Sequence, residues 1–140
     1  THRTQIERHY ADDNGQPAPL WKLVGIVTPF AAQAAAIERR LRRELPELLR
    51  KESRLTIGTV HALQGAERAI VLFSPAYGEA FNGSAFFDQT PNMLNVAVSR
   101  ARDSFIVIGN RKLFDAGKRH LPSGLLGTYL SESDAQATAS

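Results

Sequence analysis

The chain has 140 residues, 43% of them hydrophobic and 22% charged, with a formal net charge of +3. That suits one domain with enough apolar mass for a real core, and it excludes wholesale disorder. The positive charge is mild; it permits a nucleic-acid partner without demanding one. There is no cysteine. Disulfide scaffolds, thiolate metal sites and thiol nucleophiles are therefore excluded, in keeping with a reducing cytoplasm. Apolar runs such as Ala69–Phe73 are far too short to span a bilayer. The chain starts at Thr1 rather than Met, as an excised domain would.

Residues 1–20 read as a polar leader ending in the turn-rich Gly15-Gln-Pro-Ala-Pro19, with a short helix over Gln5–Tyr10. Trp21–Val27 reads as a strand, continuous as buried parallel strands are. Thr28-Pro29 reads as a helix start, with Thr as N-cap and Pro at the first helical position. The helix runs through Ala31–Glu44, and Ile37, Leu41, Leu45 and Leu48 share one face. Pro46 breaks it, and a second short helix reaches Lys51. Leu55–Val60 and Ala69–Phe73 are strands. Ser74–Gln89 is a loop whose Tyr77, Phe81, Phe86 and Phe87 either stack on bases or pack over the sheet edge. Pro91–Ala101 is a helix and Ser104–Gly109 a strand, so Arg100 and Arg102 sit where a helix passes into a buried strand. Weak helices start at Leu113 and over Leu125–Leu130, and the tail Ser131–Ser140 frays. This alternation predicts an α/β domain with a mostly parallel sheet and ligands at the carboxyl ends of its strands.

No G-x-x-x-x-G-K-[ST] phosphate loop is present, nor an apolar strand ending in Asp-Glu. The chain alone lacks the parts that cradle ATP and its magnesium. No group of His and carboxylates has metal-ligand spacing. Three segments remain: Gly25-Ile-Val-Thr-Pro-Phe-Ala-Ala-Gln33, Thr59-Val-His-Ala-Leu-Gln-Gly-Ala-Glu67 and Leu94-Asn-Val-Ala-Val-Ser-Arg-Ala-Arg102. Arg100 suits a phosphate, or a surface salt bridge. Arg102 suits a phosphate too, or a pair with Asp103 or Glu67. Gly65 lets the backbone approach a ligand or adopt positive φ. Thr59 and His61 suit phosphate or sugar contacts, and His61 equally suits a structural role. Amides near Thr28, Pro29 and Phe30 suit an anion, while simple capping also explains Thr-Pro. The run Arg39, Arg40, Arg42, Arg43 and Arg50 reads first as a solvated face paired with Glu38, Glu44 and Glu47, and second as a nucleic-acid footprint.

In this order the three segments resemble motifs IV, V and VI of the second RecA-like domain of superfamily 1 helicases, in the branch of the nonsense-mediated-decay helicases and their bacterial relatives. The resemblance covers roughly residues 22–114. It implies a three-layer, RecA-like α/β domain over residues 21–118, between the leader and a partly disordered extension at 119–140. It implies that ATP and Mg²⁺ bind jointly with an N-terminal RecA-like domain that carries the phosphate loop. Arg100 matches the arginine finger of that family. Glu67, with Gly65, matches a ribose contact. Gln33 and Arg102 approach the nucleotide, and Thr28, Pro29, Thr59 and His61 face single-stranded DNA or RNA. Some relatives carry Lys in place of Gln64 and Asp in place of His61. The implied function is the C-terminal motor domain of an ATP-dependent helicase or translocase, inactive in isolation. The alternative is a non-hydrolytic nucleic-acid or protein interaction module with the same fold.

Overall fold

A computed structural model describes residues 2–52, 54–76 and 92–138. Helix α1 (His2–His9) is followed by a single helical turn, α2 (Leu20–Leu23), which enters strand β1 (Val24–Val27) directly. Helix α3 (Ala31–Glu44) and a 3₁₀ turn (Pro46–Leu49) lead to β2 (Thr56–Gly58). A second 3₁₀ turn (Val60–Leu63) descends to β3 (Arg68–Phe73). Helix α4 (Met93–Ser99), strand β4 (Ala101–Val107), a 3₁₀ turn (Arg111–Leu113) and helix α5 (Pro122–Thr138) complete the order.

The four strands are all parallel, in the order β2-β1-β3-β4. The expected α/β architecture with a parallel sheet is what forms, and it has the arrangement of a RecA-like domain. Residues of β3 feed two cores, with a register shift between Arg68 and Ile70. Val71 and Phe73 join Val27, Val60, Leu63, Leu94, Ala97 and Phe114 on the α4 side. Ala69 joins Leu23, Val24, Leu48, Leu49 and Leu55 on the other side, with Ile70 and Leu72 packed against it. Phe73, Leu63 and Val71 are completely buried, each worth about 1.5–3 kcal/mol of transfer free energy.

Several expected boundaries move. Trp21–Leu23 is helical, not strand, although Leu23 is buried as expected. Helix α3 starts at Ala31 with Phe30 as N-cap and no side-chain cap. Thr28 does not cap it: the helix begins three residues later, Thr28 Oγ1 accepts no hydrogen bond among the described residues, and the Thr28 amide continues the sheet ladder to the Gly58 carbonyl at 3.0 Å. Helix α4 is shorter at both ends than Pro91–Ala101, and β4 begins at Ala101 and stops at Val107. Arg100 is thus the C-cap of α4, whereas Arg102 lies on the strand. The predicted fraying tail from Ser131 is mostly helix, to Thr138. The aromatic residues Tyr77, Phe81, Phe86 and Phe87 lie outside the described residues.

A parallel sheet with crossover helices has two working edges. At the carboxyl edge, β1 and β2 end at Val27 and Gly58. At the amino edge, β3 and β4 begin side by side with Arg68 opposite Ala101. The leader is tied to that edge: the Tyr10 hydroxyl donates to the Asp103 carboxylate. This bond raises the phenol pKa above its ordinary value.

Candidate nucleotide and nucleic-acid site

The carboxyl edge holds Thr28, Pro29, Gln33 and Thr59. Thr28 is fully exposed to neither solvent nor partner: its accessibility is 0%, and Oγ1 has no hydrogen-bond partner among the described residues. Pro29 is buried as well, while Thr59 and Gln33 are half-buried. Gln33 lies in the first turn of α3. That turn follows the carboxyl end of β1.

The second 3₁₀ turn carries the chain down from Thr59 to the amino edge. Gly58 permits this turn: a Cβ there would lie 2.4 Å from Ala62 Cβ. Gly65 follows with φ +73° and nothing within 4 Å of where its Cβ would stand. Of the two roles open to this glycine, positive φ is the one the backbone uses. Glu67 is exposed and directly precedes β3.

Helix α4 descends beside this segment and delivers Arg100 to the same edge. The Arg68 amide donates to the Arg100 carbonyl at 2.9 Å. Gly65, Glu67 and Arg100 are thereby brought together, although Gly65 and Arg100 stand 35 positions apart in the sequence. Arg100 makes no ion pair among the described residues. Its Nη2 lies 3.4 Å from Ser99 Oγ, and its Nε is buried without an acceptor there. Arg102 is exposed on β4 and pairs with neither Asp103 nor Glu67; Asp103 is taken by Tyr10.

A groove of ≈ 330 Å³ runs between the 3₁₀ turn and α4. Val60, His61 and Gln64 form one wall, and Met93, Val96 and Arg100 line the other. His61, expected with Thr59 on the nucleic-acid side, therefore shares a groove with Arg100. Asn92 also lines it, with φ +69° just before α4, a conformation that Asn tolerates better than most residues. Sequence reasoning did not single out Asn92 or Arg68. Arg68 has a legible signal, a cation opening an apolar strand.

The basic run on α3 behaves as a solvated face. Arg40 pairs with Glu44 at 2.5 Å, and Arg42 with Glu38 at 2.8 Å. Arg54 joins Glu38 at 2.7 Å.

The chemistry at the amino edge is a guanidinium with no carboxylate partner, an exposed carboxylate and a glycine turn. These suit a phosphate and a sugar hydroxyl. They do not suit a divalent metal: among the described residues, no three His, Asp or Glu side chains cluster to hold one. Residues 4–112 match the AAA domain family. The chain belongs to that family. Within it, this is a superfamily 1 helicase domain of the nonsense-mediated-decay type. It is 32% identical over 108 residues to a "Regulator of nonsense transcripts 1 homolog" of Arabidopsis thaliana, covering 76% of this chain and 8% of that protein. It is 32% identical over 87 residues to "Helicase sen1" of Schizosaccharomyces pombe, covering 62% and 5%. It is 32% identical over 106 residues to "Putative helicase MOV-10" of Gallus gallus, covering 69% and 11%. The chain thus spans about a tenth or less of the length of these relatives. Among the described residues, no helix is long and apolar enough to cross a membrane.

Proposed function

We propose that this domain is the C-terminal motor half of an ATP-dependent nucleic-acid helicase or translocase. The observation that carries the reading is the union of Arg100 with the Gly65–Glu67 turn at one edge of the sheet. Arg100 is the arginine finger. Its guanidinium has no carboxylate to neutralise it among the described residues, so it meets charge developing on a transferred phosphoryl group at full strength. Glu67 accepts a hydrogen bond from the ribose, and the positive-φ Gly65 shapes the turn that presents it. Arg102, exposed on the adjoining strand, adds positive potential there. The phosphate loop and the ligands for Mg²⁺ belong to an N-terminal RecA-like domain of the same protein.

Single-stranded DNA or RNA passes along the carboxyl edge, against Thr59 and the Thr28-Pro29 entry to α3, with His61 on the same 3₁₀ turn but in the groove that Arg100 also lines. The first-turn amides of α3 have no intrahelical acceptors and favour a phosphate. Closure of the two domains on ATP brings Arg100 to the phosphates, and opening after hydrolysis moves this domain along the strand. Gln33 belongs with the strand rather than with the nucleotide, because the fold keeps it at the carboxyl edge.

The test is steady-state ATP kinetics on the full-length protein. Arg100→Ala lowers kcat by about 10³-fold or more with little change in nucleotide affinity, as loss of an arginine finger does. Glu67→Ala mainly raises KM, by the roughly 1 kcal/mol of one lost hydrogen bond. A near-normal kcat in Arg100→Ala would sink the finger and favour a non-hydrolytic module.

A further inference from the structure

Strand β3 opens with a cation, and that cation does more than begin a strand. The Arg68 amide is bonded to the Arg100 carbonyl at 2.9 Å. Its Nη1 turns back to the Glu67 carbonyl at 2.9 Å. Its Nη2 reaches Thr56 Oγ1 on β2 at 3.0 Å. To get there the side chain crosses β1 at Gly25, where a Cβ would stand 3.2 Å from Arg68 Cγ. The missing side chain at Gly25 opens the passage. Arg68 Nε is buried with no acceptor among the described residues. Burying such a group is unfavourable, and a shorter or apolar residue would avoid it. What an apolar residue loses is the fork: two donors on one rigid plane, one on the Glu67 carbonyl of the turn and one on Thr56 of β2.

We propose that Arg68 is the positioning residue that locks the Gly65–Glu67 turn and Arg100 into one unit, anchored on Thr56. The backbone amide bond holds the Arg100 carbonyl whatever the side chain, and the two guanidinium bonds, which need Arg, fix that strand start and the Glu67 carbonyl against the edge strand. Glu67 and Arg100 then meet a bound nucleotide in register, without a search at each closure. This rests on the reading that both residues face the nucleotide. Misplacement of a catalytic group by about 1 Å costs about 10²-fold in rate, so an anchor behind the site matters as much as a contact in it.

The experiment uses the full-length protein, ATP kinetics at saturating single-stranded nucleic acid, and thermal melts. Arg68→Ala lowers kcat/KM by about 10–100-fold, with kcat down and KM up together. Arg68→Lys recovers only part of this, since a flexible ammonium lacks the rigid planar fork that holds both acceptors at once. Thr56→Val preserves shape far from the nucleotide, and covers the case in which Arg68→Ala fails to fold. It lowers kcat/KM by about threefold alone and by nothing further in an Arg68→Ala background. Variants that shift only the melting temperature while kcat and KM hold overturn the proposal. So does a Thr56→Val effect that persists undiminished beside Arg68→Ala. Arg100→Ala run in parallel separates the two ideas: if it leaves kcat normal, the finger reading fails first and the positioning role falls with it.

Discussion

The two edges of the sheet hold their candidate residues in different ways. At the carboxyl edge, backbone does the holding. The Thr28 amide extends the β1–β2 ladder to Gly58, and the Ser74 amide extends the β1–β3 ladder to Val27 at 2.9 Å. Thr28 is wholly buried as a result. At the amino edge, about 20 Å away along β3, a turn and side chains do the holding. Gly65 and Glu67 are exposed and Arg100 is half-buried. A ladder resists small displacements because every bond in it must shift together. A guanidinium on the end of a helix is freer to adjust. Under the proposed assignment, the nucleic-acid side is held by the strand ladder, while at the nucleotide side Arg68 ties the turn to the Arg100 backbone and only the Arg100 guanidinium is left free to engage and release.

The largest expected effect strikes the link between the edges. Helix α4 has seven residues, too few to be stable without packing. It stands because Leu94, 2% exposed, and Ala97, fully buried, pack into the core with Val71 and Phe73. Leu94→Ala is expected to cost about 2–5 kcal/mol by cavity formation, read from denaturant unfolding of the 140-residue chain. Its functional share is expected to be lopsided. In the full-length protein ATP turnover falls more than nucleic-acid affinity, because Arg100 hangs from α4 whereas Thr28 and Thr59 hang from β1 and β2. Equal losses at both edges would break the contrast drawn above.

Each edge also has its glycine, and the two fail for different reasons. Gly58→Ala forces a Cβ to 2.4 Å from Ala62 Cβ, so the 3₁₀ turn must shift; overpacking of this kind costs about 1–3 kcal/mol. Gly65→Ala meets open space but must hold φ +73°, which costs about 1–2 kcal/mol for a residue with a Cβ. Gly65→Asn should recover part of that, since Asn visits this conformation more readily. Unfolding midpoints of the three variants check the order. Gly65→Asn then sharpens the assignment of the amino edge. If its KM for ATP rises while its stability holds, the open space over Gly65 is where the nucleotide lies.

Much of this was legible from residues. The β-branched and aliphatic run at Ala69–Phe73 reads as a buried strand, and Arg68–Phe73 is one. The apolar stripe of α3 predicts the body of the helix and its end at Glu44, both observed, though not its start at Ala31. What was not legible has physical causes. A short apolar run such as Trp21–Val27 fits a strand or a buried helical turn equally well, and here it is both in succession. Thr-Pro is a strong capping signal locally, but the sheet ladder runs on through Thr28 and the helix starts only at Ala31, beyond reach of the Thr28 hydroxyl. Ser and Ala after Leu130 carry no apolar period, so the length of α5 leaves no trace in hydropathy. The site was half visible. The backbone brings Arg100 to the start of β3, next to Glu67, and the passage of a helix into a strand at Arg100 was legible, whereas the placing of Glu67 at that same edge was not. Only the 3₁₀ turn after Gly58, a three-dimensional feature, carries Glu67 to the opposite edge.

The smallest effect concerns the flaw in the rigid edge. Thr28 buries a hydroxyl that finds no partner among the described residues. An unsatisfied buried polar group costs about 1–3 kcal/mol. Thr28→Val keeps the shape and removes the hydroxyl, so it is expected to stabilise the chain by about 1 kcal/mol. For a domain of this size, that raises the melting temperature by about 4 °C. Such a cost persists in a fold when function needs the group. If the strand of nucleic acid draws on this hydroxyl, Thr28→Val is expected to weaken oligonucleotide binding about fivefold, the worth of one hydrogen bond, even as it stabilises the chain. Opposite signs for stability and binding would mark Thr28 as part of the track. A gain in stability with binding unchanged would remove Thr28 from it, leaving Thr59 and the amides at the start of α3 to carry the strand.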